Sequence, residues 1–308
     1  MSGLRPQHLK DALLPKACNT NGLFLASLTG LVNCILSGNV PPAIQPVLFG
    51  AAVTAFNKKG GGVRPIAVGE TFRRLCAKCG TRAVKERFSD AFSPTQIGFC
   101  VPGGAEAAAH ASRSFVEKAS PGDVMLKLDF SNAFNTMRRD HVAYCISEEA
   151  PELLPFFTLS YENDSILTFG SDTLSSSEGF QQGDPLAVFG FCLGLHKALC
   201  NLKSRFCIGY IDDVTIGDHW STVLSDFATF KAASEKLGLF LTHQSVNCRF
   251  LTVVAFATRL LFPSVNSALT FLRLRERALF FLAARSASKL SVTLFLPSLK
   301  CFVFSGGV

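Results

Sequence analysis

The chain holds 308 residues, of which 48% are hydrophobic and 17% charged, a globular profile with enough apolar material for one large core or two linked subdomains. Its formal net charge of +7 does not mark the core as a polynucleotide binder, because residues 251–308 carry seven Lys/Arg against the single acid Glu276 and leave residues 1–250 with only +1. Eleven scattered cysteines, an odd number with no signal peptide ahead of them, argue against a secreted disulfide scaffold and read as reduced thiols of a nuclear or cytoplasmic protein.

Near the N-terminus no charged residue falls between Lys16 and Lys58. The helical part of that stretch, "GLFLASLTGLVNCIL" over 22–36, is shorter than the roughly 20 apolar residues a bilayer requires. It also carries Ser, Thr and Asn, and Pro41 and Pro42 follow it, so the pattern predicts a buried helix and no membrane span. "AAVTAFNKK" and "VRPIAVG" read as two strands joined by the glycine tip Gly60-Gly61-Gly62. "ETFRRLCAKCGTRAVKERF" predicts a helix with a basic face, and "EAAAHASRSFVEKA" another. Cys76 and Cys79 in the former have zinc-ligand spacing, but no second pair completes a tetrahedral site.

"VMLKLDF" reads as a buried strand, "RRDHVAYCISEEA" as a helix, and "SILTFG" with "TLSSSEG" as a hairpin. An apolar helix, "PLAVFGFCLGLHKALC", precedes two strands, "FCIGYI" and "VTIG", and the amphipathic helix "STVLSDFATFKAASEKLG". The sum is an α+β mixture rather than a doubly wound alternation. Beyond residue 250 the text changes: it contains no Asp, His, Gln, Tyr or Trp, and its apolar residues follow no sustained period.

The chemistry is carried by carboxylates in apolar settings. Asp212 and Asp213 interrupt "CIGYIDDVTIG", where they fit the tip of a tight hairpin. Asp129 ends the strand "MLKLD", where it could equally cap the turn that follows. Two strand ends in one sheet can bring the three together, and clustered carboxylates repel unless divalent cations neutralise them. A pair of Mg²⁺ (or Mn²⁺) ions held in this way suits nucleotidyl transfer, by activating a hydroxyl and stabilising the leaving pyrophosphate. In "EGFQQGDPLAVFG", Asp184 and Pro185 make a helix start, with Asp184 as its cap. Gly183 lets backbone approach a ligand closely, and Gln182 can hydrogen-bond a base or sugar.

"LDFSNAFNTMRRD", "GFQQGDPLA" and "YIDDVTIG", in this order and at these separations, resemble the palm motifs of reverse transcriptases, particularly those of non-LTR retrotransposons. Upstream, "KKGGGVRPIAVGETFRRL" is similar to the fingers strands of that family and "QIGFCVPGGAEAAAHA" to the segment before its palm, so the resemblance covers roughly residues 3–245. It implies a right-hand polymerase fold with an α+β architecture. Fingers and connection would occupy 1–120, the palm 121–250, and a divergent tail 251–308 would stand where a thumb is expected. Asp129, Asp212 and Asp213 match the metal-binding carboxylates. Phe134 matches the aromatic gate under the sugar, with an ordinary core Phe as the competing reading. Arg64 matches a contact to the incoming triphosphate that Lys58 and Lys59 would assist, Gln182 and Gly183 the loop beside the nascent pair, and Arg73 and Arg74 fit template phosphates.

Departures accompany the match. Where the family carries a Lys that helps protonate pyrophosphate, Ser245 stands, and no helical thumb, endonuclease, RNase H domain or zinc knuckle can be read. The expected activity is RNA-directed DNA polymerisation, with an RNA template, a DNA primer and dNTP as partners. A catalytically silent, domesticated nucleic-acid-binding protein is the alternative. An RNA-dependent RNA polymerase is disfavoured by "YIDD" and "AFN".

Overall fold

The computed structural model describes residues 3–14, 21–57, 62–241 and, as backbone, 247–250. The chain divides into two units, Met1–Thr252 and Val253–Val308. The second, with the expectations drawn for the tail, lies outside the described residues, as do Lys58, Lys59 and Ser245.

Helices α1 (Pro6–Ala12), α2 (Asn21–Leu36) and α3 (Gln45–Phe49) lead into strands β1 (Ala51–Asn57) and β2 (Val63–Gly69). Helices α4 (Thr71–Ala83), α5 (Lys85–Phe92) and α6 (Gly104–Glu117) precede β3 (Asp123–Leu128), α7 (Ala133–Thr136), α8 (Arg139–Glu149) and α9 (Leu154–Tyr161). The hairpin β4 (Ser165–Phe169) and β5 (Asp172–Ser176) is followed by α10 (Pro185–Cys200), β6 (Phe206–Tyr210), β7 (Asp213–His219), α11 (Trp220–Lys236) and β8 (Asn247–Phe250).

Two four-stranded sheets organise these elements among the described residues, in the orders β2-β1-β4-β5 and β6-β7-β3-β8. The first joins the antiparallel β1–β2 pair to the β4–β5 hairpin through a parallel contact of Ala51 and Ala52 with Leu167 and Thr168. The chain therefore returns to the first sheet after it has begun the second. Pro65 sits on the edge strand β2, where its missing N–H breaks no ladder.

The second sheet is antiparallel throughout. Period-two alternation turns Val124, Leu126, Leu128, Val214 and Ile216 into the main core with Val142 of α8, Phe189 and Phe191 of α10 and Phe230 of α11. The opposite face is covered by α6, whose Phe115 packs on Phe206 with ring centroids 5.1 Å apart, joined by Met125 and Ile208. Gly217 makes room for that ring, since a Cβ there would lie 2.7 Å from it.

Two expectations change. The helix over 22–36 forms, but only Val32 and Ile35 are buried while Leu23, Leu25 and Leu31 are exposed. Its uncharged composition was a poor guide to depth because one narrow stripe makes all its core contacts. The single helix expected from "ETFRRLCAKCGTRAVKERF" is two, broken at Val84, which ends α4 and starts α5. No helix is long and apolar enough among the described residues to cross a membrane.

Candidate active site

The last paired residues of β3 and β7 at this end are Leu128 and Val214, so the same register sets Asp129 opposite Asp213. Tyr210 pairs with Asp213, which leaves Ile211 and Asp212 as a two-residue turn. Asp213 thus opens β7 instead of sharing the tip. Ile211 takes φ +58, a left-handed conformation that a β-branched residue adopts only when its surroundings impose it.

Burial pushes the Asp212 carboxyl above the ordinary range; its own backbone N–H pulls it down, Asp213 and Asp129 push it further up, and Arg64 draws it back. Arg64, whose charge acts there against those of Asp213 and Asp129, comes from β2 of the other sheet. The Lys127 ammonium lies 2.9 Å from Asp213 Oδ1, with both side chains about half exposed.

The expected three-carboxylate metal cage is not closed. Among the described residues no three His, Cys, Asp or Glu side chains are gathered closely enough to hold one ion, and Asp213 is turned to Lys127. The donor set still suits Mg²⁺, which binds through one or two carboxylates and completes its shell with water and substrate phosphates.

The loop ahead of α10 is fitted against the β3–α7 turn. Phe180 N–H donates to Phe134 O at 2.6 Å and Gln182 Nε2 to Asn135 Oδ1 at 3.1 Å. Ala67 N–H of β2 donates to Gln182 O at 2.9 Å, which ties the loop to the first sheet as well. Gly183 has φ +113, and a Cβ there would stand 2.9 Å from Ala67 O, so glycine is required on both counts. Phe134 is half-buried and stacks on Phe191 at 4.9 Å and 23°. The core reading of Phe134 is therefore correct for one face of its ring, and the other reading remains compatible with its partial exposure.

Arg73 is corrected. It is 1% exposed, and its guanidinium pairs with Asp184 at 2.8 Å and donates to Phe49 O at 2.6 Å and Gln181 Oε1 at 2.8 Å. A side chain so enclosed cannot follow template phosphates. It falls on the core side of α4, while Arg74 beside it is partly exposed. Asp184 is the helix cap expected, accepting Leu186 N–H at 3.0 Å, and it also accepts Tyr161 Oη–H at 2.6 Å.

Gln96, Asn135 and Lys127 were missed as neighbours of the site. "QIGF" reads only as the start of a segment similar to the one before the family's palm, and nothing in residue type alone says that the Gln96 side chain ends against Ile211. Asn135 and Lys127 lie within a few residues of Asp129, so proximity in sequence was their available signal.

Residues 56–251 match the family model described as reverse transcriptase (RNA-dependent DNA polymerase). A search of curated proteins gives no match. Among solved structures, telomerase from Candida albicans, in complex with the TWJ fragment of telomeric RNA, aligns at TM-score 0.52 and 11% identity over 74% of this chain and 46% of that one. An apo telomerase from Candida tropicalis, truncated from its C-terminal domain, gives TM-score 0.48 and 12% identity over 66% of this chain and 50% of that one. The chain spans about half the length of these proteins. With a palm-like antiparallel sheet that ends at Asp129 and Asp213 and carries Asp212 in its β6–β7 turn, a mixed α/β polymerase fold and a family match over most of its described length, the chain belongs to the reverse transcriptase (RNA-dependent DNA polymerase) family.

Proposed function

We propose that the chain is an RNA-directed DNA polymerase of the non-LTR retrotransposon type, in which the 3′-hydroxyl of a DNA primer paired with an RNA template attacks the α-phosphate of a dNTP and pyrophosphate leaves. The observation that carries the reading is the register that sets Asp129 opposite Asp213, with Asp212 in the adjoining β6–β7 turn and the Lys127 ammonium 2.9 Å from Asp213. Catalysis of phosphoryl transfer is mainly positioning and charge stabilisation, and this arrangement supplies both signs of charge at one place.

Asp129 and Asp212 would hold Mg²⁺ (or Mn²⁺), with Asp213 joining when Lys127 releases it. When bound, such ions neutralise the triphosphate and lower the pKa of the attacking hydroxyl. The remaining work belongs to side chains of this chain. Arg64 faces the triphosphate, Phe134 limits the space at the sugar 2′ position, and Gln182, steadied by Asn135, borders the new pair with Gly183. Lys58 would assist at the triphosphate from outside the described residues. Arg74 remains the candidate for a template phosphate.

Primer extension by the full chain with Mg²⁺ or Mn²⁺, on RNA and on DNA templates of one sequence, tests the proposal. Templated, dNTP-dependent extension on RNA supports it. Binding of template-primer without extension in either metal points instead to a silent nucleic-acid-binding protein.

A further inference from the structure

We infer that Gln96 is the positioning residue of the catalytic turn, a side-chain clamp that holds Ile211 left-handed and so fixes the place of Asp212 in that turn. Its catalytic consequence rests on the polymerase reading above, whereas the clamp itself does not.

Gln96 is 0% exposed, and its amide is spent on one residue of the turn and on its own loop. Oε1 accepts Ile211 N–H at 2.9 Å and Gly98 N–H at 3.1 Å, while Nε2 donates to Ile211 O at 3.1 Å. Both backbone polar groups of Ile211 are thereby satisfied by a single side chain, in the way a neighbouring strand would satisfy them. The backbone on either side reinforces this. Gly209 N–H donates to Thr95 O at 2.6 Å and Ile97 N–H to Gly209 O at 2.8 Å, so 95–97 lies as a short parallel extension along β6.

The approach is too close for ordinary residues. A Cβ on Gly98 would lie 2.3 Å from Ile211 N, and one on Gly209 would lie 3.0 Å from Gln96 Nε2. Ile211 is the residue whose conformation costs most here, since a β-branched side chain disfavours positive φ. The clamp is therefore aimed at the strained residue that immediately precedes Asp212. Without it the turn is free to relax, and the Asp212 carboxylate moves with it. A misplacement of about 1 Å at a reacting centre is enough to lower a rate roughly a hundredfold.

The test uses the full chain and compares wild type with Gln96→Ala, with Gln96→Glu, which keeps the size and the acceptor but loses the Nε2 donor, and with Gln96→Ala/Ile211→Gly. Three readouts are taken: single-turnover extension, the Mn²⁺ concentration giving half-maximal rate, and hydrogen exchange in a peptide containing Ile211. We expect Gln96→Ala to lower kcat by about tenfold or more with KM for dNTP little changed. Mn²⁺ half-saturation should rise and exchange at Ile211 should quicken. Glycine at 211 takes positive φ without strain, so the double variant should recover part of the rate that the single variant loses. A merely structural role would give no such rescue and no shift in metal requirement. Thermal unfolding checks that each variant folds, and Gln96→Glu carries the test should Gln96→Ala not fold.

Extension by wild type with an unchanged rate, metal requirement and exchange in both single variants overturns the inference and leaves the polymerase reading standing. A wild type that never extends, yet loses protection at Ile211 on Gln96 substitution, overturns the polymerase reading and upholds the clamp.

Discussion

The guanidinium of Arg73 and the carboxylate of Asp184 meet at 2.8 Å with side-chain exposures of 1% and 4%. They join α4 to the N-terminus of α10, and Tyr161 Oη–H completes the carboxylate from α9. Burial works against the Arg73 charge, but Asp184 and Tyr161 hold its pKa above the usual value. Three segments thus share one ion pair at the residue that follows Gln182 and Gly183 in the chain.

Removing one partner strands the other charge. Arg73→Ala is expected to destabilise the fold by about 3–5 kcal/mol, and Arg73→Lys to recover little, since Lys cannot reproduce the fork that reaches Phe49 O, Gln181 and Asp184 together. Asp184→Asn should likewise act mainly on stability. Urea midpoints check this. A variant as stable as wild type with a reduced salt dependence of template binding would return Arg73 to the role of a phosphate contact.

Sugar selectivity is expected to depend on Phe134. Phe134→Val removes the exposed edge of a ring whose other face is stacked on Phe191, so ribonucleotide incorporation should rise relative to dNTP by at least about tenfold. Stability should fall by roughly 1–3 kcal/mol from the lost packing. Competition between matched NTP and dNTP measures the ratio. The same ratio in an active Phe134→Val enzyme would leave Phe134 as a core residue only.

Acid stability should follow Asp123. Burial raises its pKa, but the N–H of Ser120 at 2.6 Å, the Arg205 guanidinium and His219 outweigh burial and bring it below the ordinary value. The unfolded chain then binds this proton more tightly than the native chain. The stabilisation is complete above the unfolded value of about 3.9 and fades as pH falls through the lowered native one. Asp123→Asn should be less stable than wild type at pH 7, and the gap should narrow below about pH 4. A gap that stays constant from pH 7 to pH 3 would show that the Asp123 charge contributes nothing.

Much of the site could be read from the chain because its parts are local. A strand ending in Asp129, a tight hairpin around Asp212 and Asp213, and Asp184 before Pro185 each announce themselves within a few residues, through alternation, turn chemistry and capping, although Ile211 and not Asp213 shares the tip with Asp212. What could not be read depends on contacts across long separations. Arg73 and Arg74 are adjacent and alike in sequence, and only the packing of α4 against α10 decides which is enclosed. Gln96 lies 115 residues from Ile211, and no local period links them. The exposure of α2 escaped for the complementary reason, that an apolar composition says what a helix can bury but not what is present to bury it.

The central claim is that Asp129 and Asp212 form one reacting centre, and the most direct measurement is single-turnover primer extension by the full chain and its Asp212→Asn, Asp129→Asn and Asp184→Asn variants. Asp212→Asn and Asp129→Asn should each lose at least about a thousandfold in rate while folding as wild type, and Asp184→Asn should retain its chemistry at temperatures where it remains folded. Normal extension by a folded Asp212→Asn variant would contradict the account.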